Sequence, residues 1–336
     1  MNLTRKKILF IKKGFTRFEN NDINLLSRDF DVKVFEPSIY NVSKIFAEVK
    51  KVDLLYYWFP NDYKLLISII GKFLNKKIVV VGGGQMSTAD TKEGRKFARV
   101  KYRYFHRISG ILCLRIANKI IAVSNYELNG LARYAVKNKI ALVYNSIDTK
   151  LFSGEAKVER DPKLIITVSS LKDTHYHRKG LDIFVKLSRE MPDFKFVLIG
   201  KDTGDGTAES IMNQAKDNLV MAGSVTDDEL VSWMYKASIY CQFSRQEGFG
   251  VALAESMACK CIPVVSRYGA IPEVAGPDAY YIENEINYSA IRSTIMNASK
   301  AGLSRDLYAG RIASLFNDMV RDKLIVDTVN SLFQTQ

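Results

Sequence analysis

The chain has 336 residues, 47% hydrophobic and 25% charged, a composition typical of globular proteins. This length favours two domains of about 150 residues each over a single core. No apolar run approaches the roughly 20 residues of a membrane-spanning helix, and the first residues lack the pattern of a signal peptide. The four cysteines show no metal-binding spacing. We therefore expect a cytoplasmic protein with reduced thiols.

The net charge of +13 is unevenly distributed along the chain. Residues 1–150 contain 28 Lys and Arg against 12 Asp and Glu, whereas the remainder contains 21 against 24. The basic excess therefore lies in the first half. A surface of that sign attracts anions such as nucleic acid, acidic lipid headgroups or phosphorylated substrates.

The first half alternates short apolar runs with stretches of helical spacing. The apolar runs predict five strands, at 8–11, 32–35, 54–58, 78–81 and 119–123. Between two of them, residues 65–73 carry apolar side chains at helical intervals. Strands that alternate with helices indicate a parallel sheet, and strands without polar alternation fit a sheet covered on both faces.

The same pattern restarts in the second half. Strands are predicted at 164–168, 194–199, 219–223, 239–243 and 262–265, and helices at 181–191 and 227–235, the second with Thr226 as its N-cap. We therefore predict an α/β protein of two tandem Rossmann-like, doubly wound parallel-sheet domains that face each other across a cleft.

The domain boundary is expected near residues 145–152, which gives an N-terminal domain at 1–150 and a C-terminal domain at 151–317. A last helical stretch covers 304–333 and is long for one domain. We expect its end, from about 318 to 336, to pack back on the N-terminal domain.

The most specific passage is 244–258, which follows a predicted strand, turns through Gly248 and Gly250 and enters a helix. Such glycines allow close backbone approach, and the first amides of a helix attract a phosphate. Glu255 is the only charged residue between Gly248 and Cys259, so the helix is predicted to be buried. Sugar hydroxyls would satisfy its carboxylate, and a basic side chain from elsewhere is the alternative. For Glu247 the alternative is a solvated loop charge.

The motif Glu-Gly-Phe-Gly-x4-Glu at 247–255 resembles the donor-site signature of family 4 (group 1) glycosyltransferases, which have the GT-B fold. Further passages resemble the family in the same order, at 118–127, 143–148, 177–182, 197–200 and 269–274. The resemblance covers 118–275 well and the first hundred residues poorly. It implies two Rossmann-like domains and the transfer of a sugar from a nucleotide diphosphate sugar, such as a UDP- or GDP-sugar.

The resemblance also implies residue roles in a retaining reaction that needs neither a cofactor nor a metal. Glu247 would contact the transferred sugar. Lys179 would neutralise the leaving diphosphate, a task that a divalent metal performs in other glycosyltransferases. Glu255 would hold the ribose hydroxyls of the nucleotide. The diphosphate would lie against the backbone at the start of the helix, at Gly248, Phe249, Gly250 and Val251.

One position departs from the family, which usually has an Arg after the strand at 164–168 as a partner for the Lys. Ser169 and Ser170 stand there. Either Lys172 or Arg178 takes that part, or the phosphate is held less firmly. Two glycines that follow strands are further predicted donor-side positions: Gly200 and Gly14.

The acceptor side is predicted in the first half, where a run of glycines ends a strand. The candidates are Gly83, Gly84, Gln85 and Asp90, with a tight turn as the alternative for the glycines. The segment 92–115 (Lys92–Arg115) carries eight basic residues against one acid, interleaved with apolar and aromatic ones. This pattern predicts either contact with an anionic membrane surface or a solvated helix with a core-facing stripe.

A membrane contact would suit a lipid-linked or cell-envelope acceptor and a peripheral position on the inner face of the cytoplasmic membrane. Nucleic acid is not an expected partner, because no recognised binding module accompanies the charge. A Rossmann dehydrogenase is disfavoured, since the glycine run at 82–84 lacks the Gly-x-Gly-x-x-Gly spacing and no such fingerprint follows the first strand. Two alternatives to a transferase stay open: a noncatalytic GT-B protein that binds sugar or membrane, and a GT-B nucleotide-sugar epimerase.

Overall fold

The computed structural model describes residues 5–14, 16–37, 41–83, 100–152, 159–283, 285–300 and 305–334, with side chains from residue 106 onward in the helix at 100–116. The chain divides into two compact units, Met1–Tyr144 with Met319–Gln336, and Asn145–Asp318. Each unit is built on a six-stranded sheet whose paired strands are all parallel. The prediction of two doubly wound parallel-sheet units is confirmed.

The first unit orders its strands β2-β1-β3-β4-β5-β6. The strands are Lys7–Ile11 (β1), Asp31–Phe35 (β2), Leu54–Trp58 (β3), Lys77–Gly82 (β4), Lys119–Ala122 (β5) and Ile140–Leu142 (β6). The α-helices are Arg17–Asp29 (α1), Val42–Lys50 (α2), Asp62–Phe73 (α3), Val100–Ile116 (α4) and Asn125–Leu131 (α5). The inner strands are buried on both faces, as their continuous apolar runs predict.

Side-chain caps fix where three of these helices begin. Asn41, Asn61 and Ser124 each accept a hydrogen bond from the backbone amide three residues on. Such a bond satisfies one of the amide groups that have no partner inside the helix.

The second unit orders its strands β12-β11-β10-β7-β8-β9. The strands are Asp161–Val168 (β7), Lys195–Ile199 (β8), Leu219–Gly223 (β9), Ala237–Gln242 (β10), Ile262–Val265 (β11) and Tyr280–Tyr281 (β12). The helices are Thr149–Phe152 (α6), Asp173–Tyr176 (α7), Leu181–Glu190 (α8), Thr207–Met212 (α9), Asp227–Lys236 (α10), Val251–Ala258 (α11), Ile271–Ala275 (α12), Tyr288–Lys300 (α13) and Asp306–Leu315 (α14). Thr226 caps α10 in a reciprocal capping box with Glu229, which confirms the predicted N-cap.

The strand order of the second unit creates a switch point between β7 and β10. From β7 the chain moves outwards through β8 to β9, and it then returns to the other side of β7 through β10, β11 and β12. The loops that follow β7 and β10 therefore leave the sheet in opposite directions and open a crevice at its carboxyl edge. Doubly wound sheets bind their ligands in such crevices.

The prediction of one continuous helical stretch over 304–333 is wrong, because the helix is interrupted in its middle. Helix α14 ends at Leu315, and a separate helix, Asp318–Asn330 (α15), follows. Phe316 leaves the helical conformation, with φ −129° and ψ 27°, and its carbonyl oxygen accepts a hydrogen bond from the amide of Ile147. Asn317 pairs with Ile147 as an isolated parallel bridge. This long-range pairing interrupts a stretch whose local pattern is helical throughout.

A buried ion pair holds α15 to the rest of the first unit. The guanidinium of Arg321 donates to both carboxylate oxygens of Asp22 on α1, at 2.9 and 3.2 Å. Asp22 also accepts from the hydroxyl of Tyr56 and the indole N–H of Trp58, both at 2.8 Å. Arg321 further donates to the carbonyl of Tyr144 at 2.9 Å. The pair is thus surrounded by hydrogen bonds, the condition under which buried charges are tolerated.

All four cysteines, Cys113, Cys241, Cys259 and Cys261, are buried and free. Burial raises the pKa of the Cys113 and Cys261 thiols to about 11, so both stay protonated at neutral pH. Among the residues that the structure describes, no helix is long and apolar enough to cross a membrane.

We expect Arg321→Met to lower the free energy of unfolding by about 3–5 kcal/mol, because it leaves the Asp22 carboxylate buried without its counter-charge. Arg28→Met is the matched control: Arg28 pairs with Asp322 at 2.8 Å between the same two helices, but its side chain is 68% exposed. That substitution should cost less than about 1 kcal/mol. Urea unfolding of the full chain measures both, and equal losses would contradict a structural role for the buried pair.

Candidate active site

Two loops meet at the switch point of the second unit. The β7 loop, residues 169–180, follows β7, and the β10 loop, residues 243–250, follows β10. The backbone amide of Arg245 donates to the carbonyl of Arg178 at 2.8 Å. The Arg245 guanidinium donates to both carboxylate oxygens of Asp182, at the start of α8, at 2.8 and 2.9 Å. These bonds tie the two loops together at the mouth of the crevice.

Two glycines let the loop backbones approach closely. Gly180 and Gly269 have φ values of 71° and 63°, in the left-handed region that favours glycine. A Cβ on Gly180 would overlap the carbonyl oxygen of Phe243, and one on Gly269 would overlap that of Glu247. The same Glu247 oxygen accepts a hydrogen bond from the amide of Ala270 at 3.0 Å. The position of Glu247 is therefore fixed through its backbone.

The carboxylate of Glu247 is held from several sides. Its Oε2 accepts from Lys179 Nζ at 2.6 Å, from Gln242 Nε2 at 2.9 Å and from Ser244 Oγ at 3.4 Å. Burial raises the pKa of this carboxyl group, but Lys179 and Arg178, together with the Ser244 hydroxyl, outweigh burial and hold the pKa below its usual value. Glu247 is therefore ionised at neutral pH. Its loop position was predicted, but the alternative of a solvated loop charge is wrong, because the carboxylate is largely buried and paired.

Glu255 lies on α11 and is only 6% exposed, as the apolar sequence of that helix predicts. The hydroxyl of Tyr240 on β10 is electrostatically coupled to both Glu247 and Glu255. Burial, and then these two negative charges, raise the pKa of Tyr240. Glu247 lies in the loop that follows β10, and Glu255 lies on the helix that this loop enters.

Positive charges concentrate in the β7 loop. Burial, followed by the charges of Arg178 and Lys179, lowers the pKa of His175 to about 4, and Lys172 contributes in the same direction. His175 is therefore neutral at physiological pH and shares a 2.8 Å hydrogen bond with Ser170 Oγ. Lys172 is exposed, whereas Arg178 and Lys179 are half-buried. The site thus combines two half-buried cations with one ionised carboxylate.

Helix α11 begins at the end of the β10 loop. Its N-cap, Gly250, has φ 99°, and the amides of Val251 and its neighbours lie at the positive end of the helix dipole. Phe249 is buried, with its ring packed edge-on against Phe316 at 5.3 Å. Of the predicted phosphate-side residues Gly248, Phe249, Gly250 and Val251, Phe249 therefore has only its backbone to offer a ligand.

The other predicted donor-side glycines have separate local explanations. Gly200 follows β8 with φ 154°, and a Cβ there would overlap the carbonyl oxygen of Ser169. Its lack of a side chain lets the β7 loop pass beside β8. Gly14 lies in the first unit, after β1, with φ 74° and no atom within 4 Å of a built Cβ. Its left-handed backbone favours glycine, but the space around it would accommodate a side chain.

On the predicted acceptor side, the structure places Gly83 directly after β4. A Cβ there would overlap the ring of Phe59, which itself has φ 49°. The ammonium of Lys64 donates to the Phe59 carbonyl at 3.2 Å, and burial lowers the pKa of Lys64 to about 8. Gly83 thus accommodates an aromatic ring in a constrained turn. Gly84, Gln85 and Asp90 lie outside the described residues.

Neither Gln242 nor the Asp182–Arg245 pair was predicted from the sequence. The side-chain amide of Gln242 accepts from Tyr240 Oη at 3.3 Å and donates to Glu247 at 2.9 Å, so it orients the carboxylate. A signal was available, since Gln242 is a polar residue at the carboxyl end of an apolar strand. For Asp182 and Arg245, 63 residues apart, the sequence carries no signal of contact. In the described part of the chain, no group of three or more His, Cys, Asp or Glu side chains is placed to hold a metal ion.

Solved structures identify the fold. HepE of Anabaena, in complex with UDP and glucose, superimposes with a TM-score of 0.75 over 97% of this chain and 100% of its own, at 16% identity. Sucrose-phosphate synthase of Thermosynechococcus elongatus gives a TM-score of 0.79 over 98% and 99%, at 15% identity. The chain has the two Rossmann-like units of the GT-B fold, as predicted.

Residues 148–307, just under half of the chain, match the family described as glycosyl transferases group 1. The matched segment contains Lys179, Glu247 and Glu255, together with both loops of the crevice. The resemblance to group 1 glycosyltransferases that the motifs indicate is therefore confirmed for this segment.

Curated relatives agree with this assignment at low identity. An uncharacterised glycosyltransferase of Methanocaldococcus jannaschii is 26% identical over 70% of this chain and 62% of its own length. The gpi3 subunit of phosphatidylinositol N-acetylglucosaminyltransferase of Schizosaccharomyces pombe is 26% identical over 47% and 36%. The processive diacylglycerol alpha-glucosyltransferase of Acholeplasma laidlawii is 26% identical over 58% and 61%. The chain thus matches less than two thirds of the length of each.

We expect Gly269→Ala to destabilise the protein by at least about 3 kcal/mol, because left-handed strain and overlap with the Glu247 carbonyl act together. Gly204→Ala is the matched control. Gly204 has φ 72° in the same unit, but a Cβ there meets no atom within 4 Å, so only the strain of about 1–2 kcal/mol applies. Thermal unfolding compares the two variants. A Gly269→Ala protein as stable as Gly204→Ala would show that the Glu247 backbone is not fixed as described.

Proposed function

We propose that the chain is a retaining, metal-independent glycosyltransferase that moves a sugar from a UDP- or GDP-sugar to an acceptor. One observation carries the proposal: an ionised Glu247 and the Lys179 ammonium lie 2.6 Å apart at the switch point, inside the segment that matches the family. Charged groups arranged around a crevice suit a reaction in which charge separates between a sugar and a leaving diphosphate.

The diphosphate of the donor lies at the start of α11. The first amides of a helix and its positive dipole end attract phosphate oxygens, and the left-handed Gly250 turns the β10 loop into that helix. Glu255 lies on this helix, eight residues after Glu247, and its two carboxylate oxygens accept hydrogen bonds from the ribose hydroxyls. A nucleotide bound there excludes water from the buried carboxylate.

The cations of the β7 loop stabilise the leaving group. As the bond from the anomeric carbon to the diphosphate lengthens, negative charge grows on the phosphate and positive charge on the sugar. Lys179 neutralises the first, and the carboxylate of Glu247 stabilises the second. Because the ammonium of Lys179 has three protons to donate, it can bond a phosphate oxygen while it keeps its bond to Glu247.

We assign the second phosphate-binding cation to Arg178 rather than Lys172. Arg178 is half-buried and close enough to Glu247 to be electrostatically coupled to it, whereas Lys172 is exposed at the start of α7. Among the described residues, no hydrogen bond or ion pair engages the Arg178 guanidinium. A planar fork of donors is suited to two phosphate oxygens at once.

The acceptor is proposed to be a lipid-linked or cell-envelope glycan. Two of the relatives reported above carry a lipid in their names, phosphatidylinositol and diacylglycerol respectively. The basic first half of the chain fits an acceptor that carries phosphate groups or lies at an anionic surface.

The donor is identified by thermal unfolding in the presence of UDP, GDP, ADP and TDP and their sugar conjugates. A ligand that binds the native state raises the melting temperature, and we expect one nucleotide series to do so with or without EDTA.

With that donor, Glu247→Gln should lower kcat for transfer or donor hydrolysis by at least about 100-fold. Glu209→Gln, which removes an exposed carboxylate on α9, is the control and should leave kcat unchanged. Equal rates for the wild type and Glu247→Gln would argue for a noncatalytic protein.

Arg178→Gln should weaken binding of the nucleotide diphosphate by about 10–100-fold, the loss expected for a hydrogen bond between charged groups. Lys172→Gln should weaken it by less than about threefold, because an exposed lysine contributes little through solvent. Isothermal titration with the nucleotide from the screen measures both. The assignment is wrong if Lys172→Gln has the larger effect.

A further inference from the structure

Three helices of the first unit cover one face of its sheet. Helices α2, α3 and α4 pack side by side, α3 between the other two. Their inner residues, such as Ile45, Ile67 and Leu114, belong to one core cluster with Leu9, Leu55 and Val80 of the strands. Because their inner sides are buried in a common core, their outer sides point away from the sheet in a common direction.

That outer surface carries three pairs of apolar side chains, one pair on each helix. The pairs are Val42 and Phe46 on α2, Ile69 and Phe73 on α3, and Ile108 and Leu112 on α4. Within each pair the residues are four apart, so they lie one above the other on the helix surface. Phe73 is 77% exposed and Ile69 51%. We call these six residues the α2–α4 face.

Neighbouring helices pack about 8–10 Å apart, so the α2–α4 face is about 20 Å wide. Single exposed apolar residues are normal on protein surfaces, but a contiguous group of this kind marks a site of interaction. Further apolar side chains of these helices, among them Leu66, Leu74 and Ile111, are only partly buried where they pack against the core. The exposed pairs therefore lie on helices that are apolar beyond the pairs themselves.

Unbalanced positive charge surrounds the α2–α4 face. Lys44, Lys50, Lys72 and Arg115 are exposed on the same helices. The described acidic residues there are already paired. Glu48 bonds Lys33 and Lys51, and Asp62 pairs with His106 at 2.5 Å. The side chains of Lys44, Lys50, Lys72 and Arg115 thus attract anions without local compensation.

We propose that the α2–α4 face docks on an anionic lipid bilayer, with its apolar pairs in the headgroup boundary and its basic side chains on the lipid phosphates. Apolar side chains beside Lys and Arg on one helical surface are the pattern of proteins that lie on membranes. A second copy of the chain is a poor occupant, because two faces of the same positive sign repel each other. The inference stands on exposed side chains and does not depend on the proposed transfer reaction.

This surface differs from the one that the sequence indicates. The basic segment 92–115 contributes Ile108, Leu112 and Arg115, but α2 and α3 supply the other four apolar residues. Residues 92–99 lie outside the described residues. The docking surface therefore combines helices that are separated along the chain, and the helical periodicity of one segment does not reveal it.

Vesicle flotation with the full chain tests the proposal. The vesicles contain either phosphatidylcholine alone or phosphatidylcholine with about 30% phosphatidylglycerol. The second kind carries a negative surface potential, which attracts basic protein surfaces. We expect binding to the anionic vesicles and not to the neutral ones, with a decrease as salt rises, because surface electrostatics is screened within about 10 Å at 0.1 M salt. No binding to anionic vesicles at low salt, or equal binding to neutral ones, would overturn the proposal.

Two variants locate the contact. Ile69→Ser with Phe73→Ser should lower the vesicle partition coefficient at least about tenfold, because two exposed apolar side chains are lost. Met319→Ser is the control and should leave the coefficient unchanged: Met319 is 80% exposed on α15, which pairs with α1 through Arg321 and Asp22. Thermal unfolding and the nucleotide-induced shift verify that both variants are folded.

Three results would contradict the α2–α4 face as the membrane contact. The first is vesicle binding by the double variant equal to that of the wild type, and the second is an equal loss of binding by Met319→Ser. The third is a dimer of the wild type, detected by sedimentation, that the double variant abolishes, which would assign the face to a second copy. Because vesicle binding requires no turnover, Glu247→Gln should bind vesicles like the wild type, so failure of the transferase proposal and failure of this one are separable.

Discussion

The pair between Lys179 and Glu247 depends on two loops that the strand order sends in opposite directions. Each charge is partly removed from water, and a buried charge is tolerated only beside its counter-charge. The main-chain bond from Arg245 to Arg178, the Arg245–Asp182 pair and the glycines at 180 and 269 hold the loops where the two charges can meet. The geometry of the crevice therefore follows from the order of β7 and β10 in the sheet, because that order decides which loops become neighbours.

Each unit contains an ion pair, fully buried in the first unit and partly buried in the second, and the two pairs differ in how many of their hydrogen-bonding groups have partners within the protein. In the first unit, Asp22 accepts from Tyr56, Trp58 and Arg321, and Arg321 also bonds main-chain carbonyls. In the second unit, the ammonium of Lys179 has three N–H donors, of which one bonds an acceptor among the described residues, and its side chain is 24% exposed. A pair whose bonds are all made within the protein stabilises the fold, whereas a pair with unused donors has capacity for a ligand.

Much of the fold is predictable from local pattern, because inner strands of a doubly wound sheet are continuous apolar runs. The edge strands Ile140–Leu142 and Tyr280–Tyr281 were not predicted, since three and two residues are too short for a periodicity. The break at Phe316 depends on a distant partner, Ile147. At the site, the sequence indicates Glu247 and Lys179 through a family motif. The contacts made by Gln242, Asp182 and Arg245 arise only when β7 and β10 become neighbours, and no local signal encodes that proximity.

The first unit is assembled from two separate parts of the chain, Met1–Tyr144 and Met319–Gln336, whereas the second is continuous. During synthesis on the ribosome, residues 145–318 emerge while Asp22 still lacks Arg321. The second unit is therefore complete in sequence before the first unit has its last part. Asp22 gains its counter-charge only when residue 321 has been added. The ion pair of the first unit is thus completed by a residue that is synthesised after the whole of the second unit.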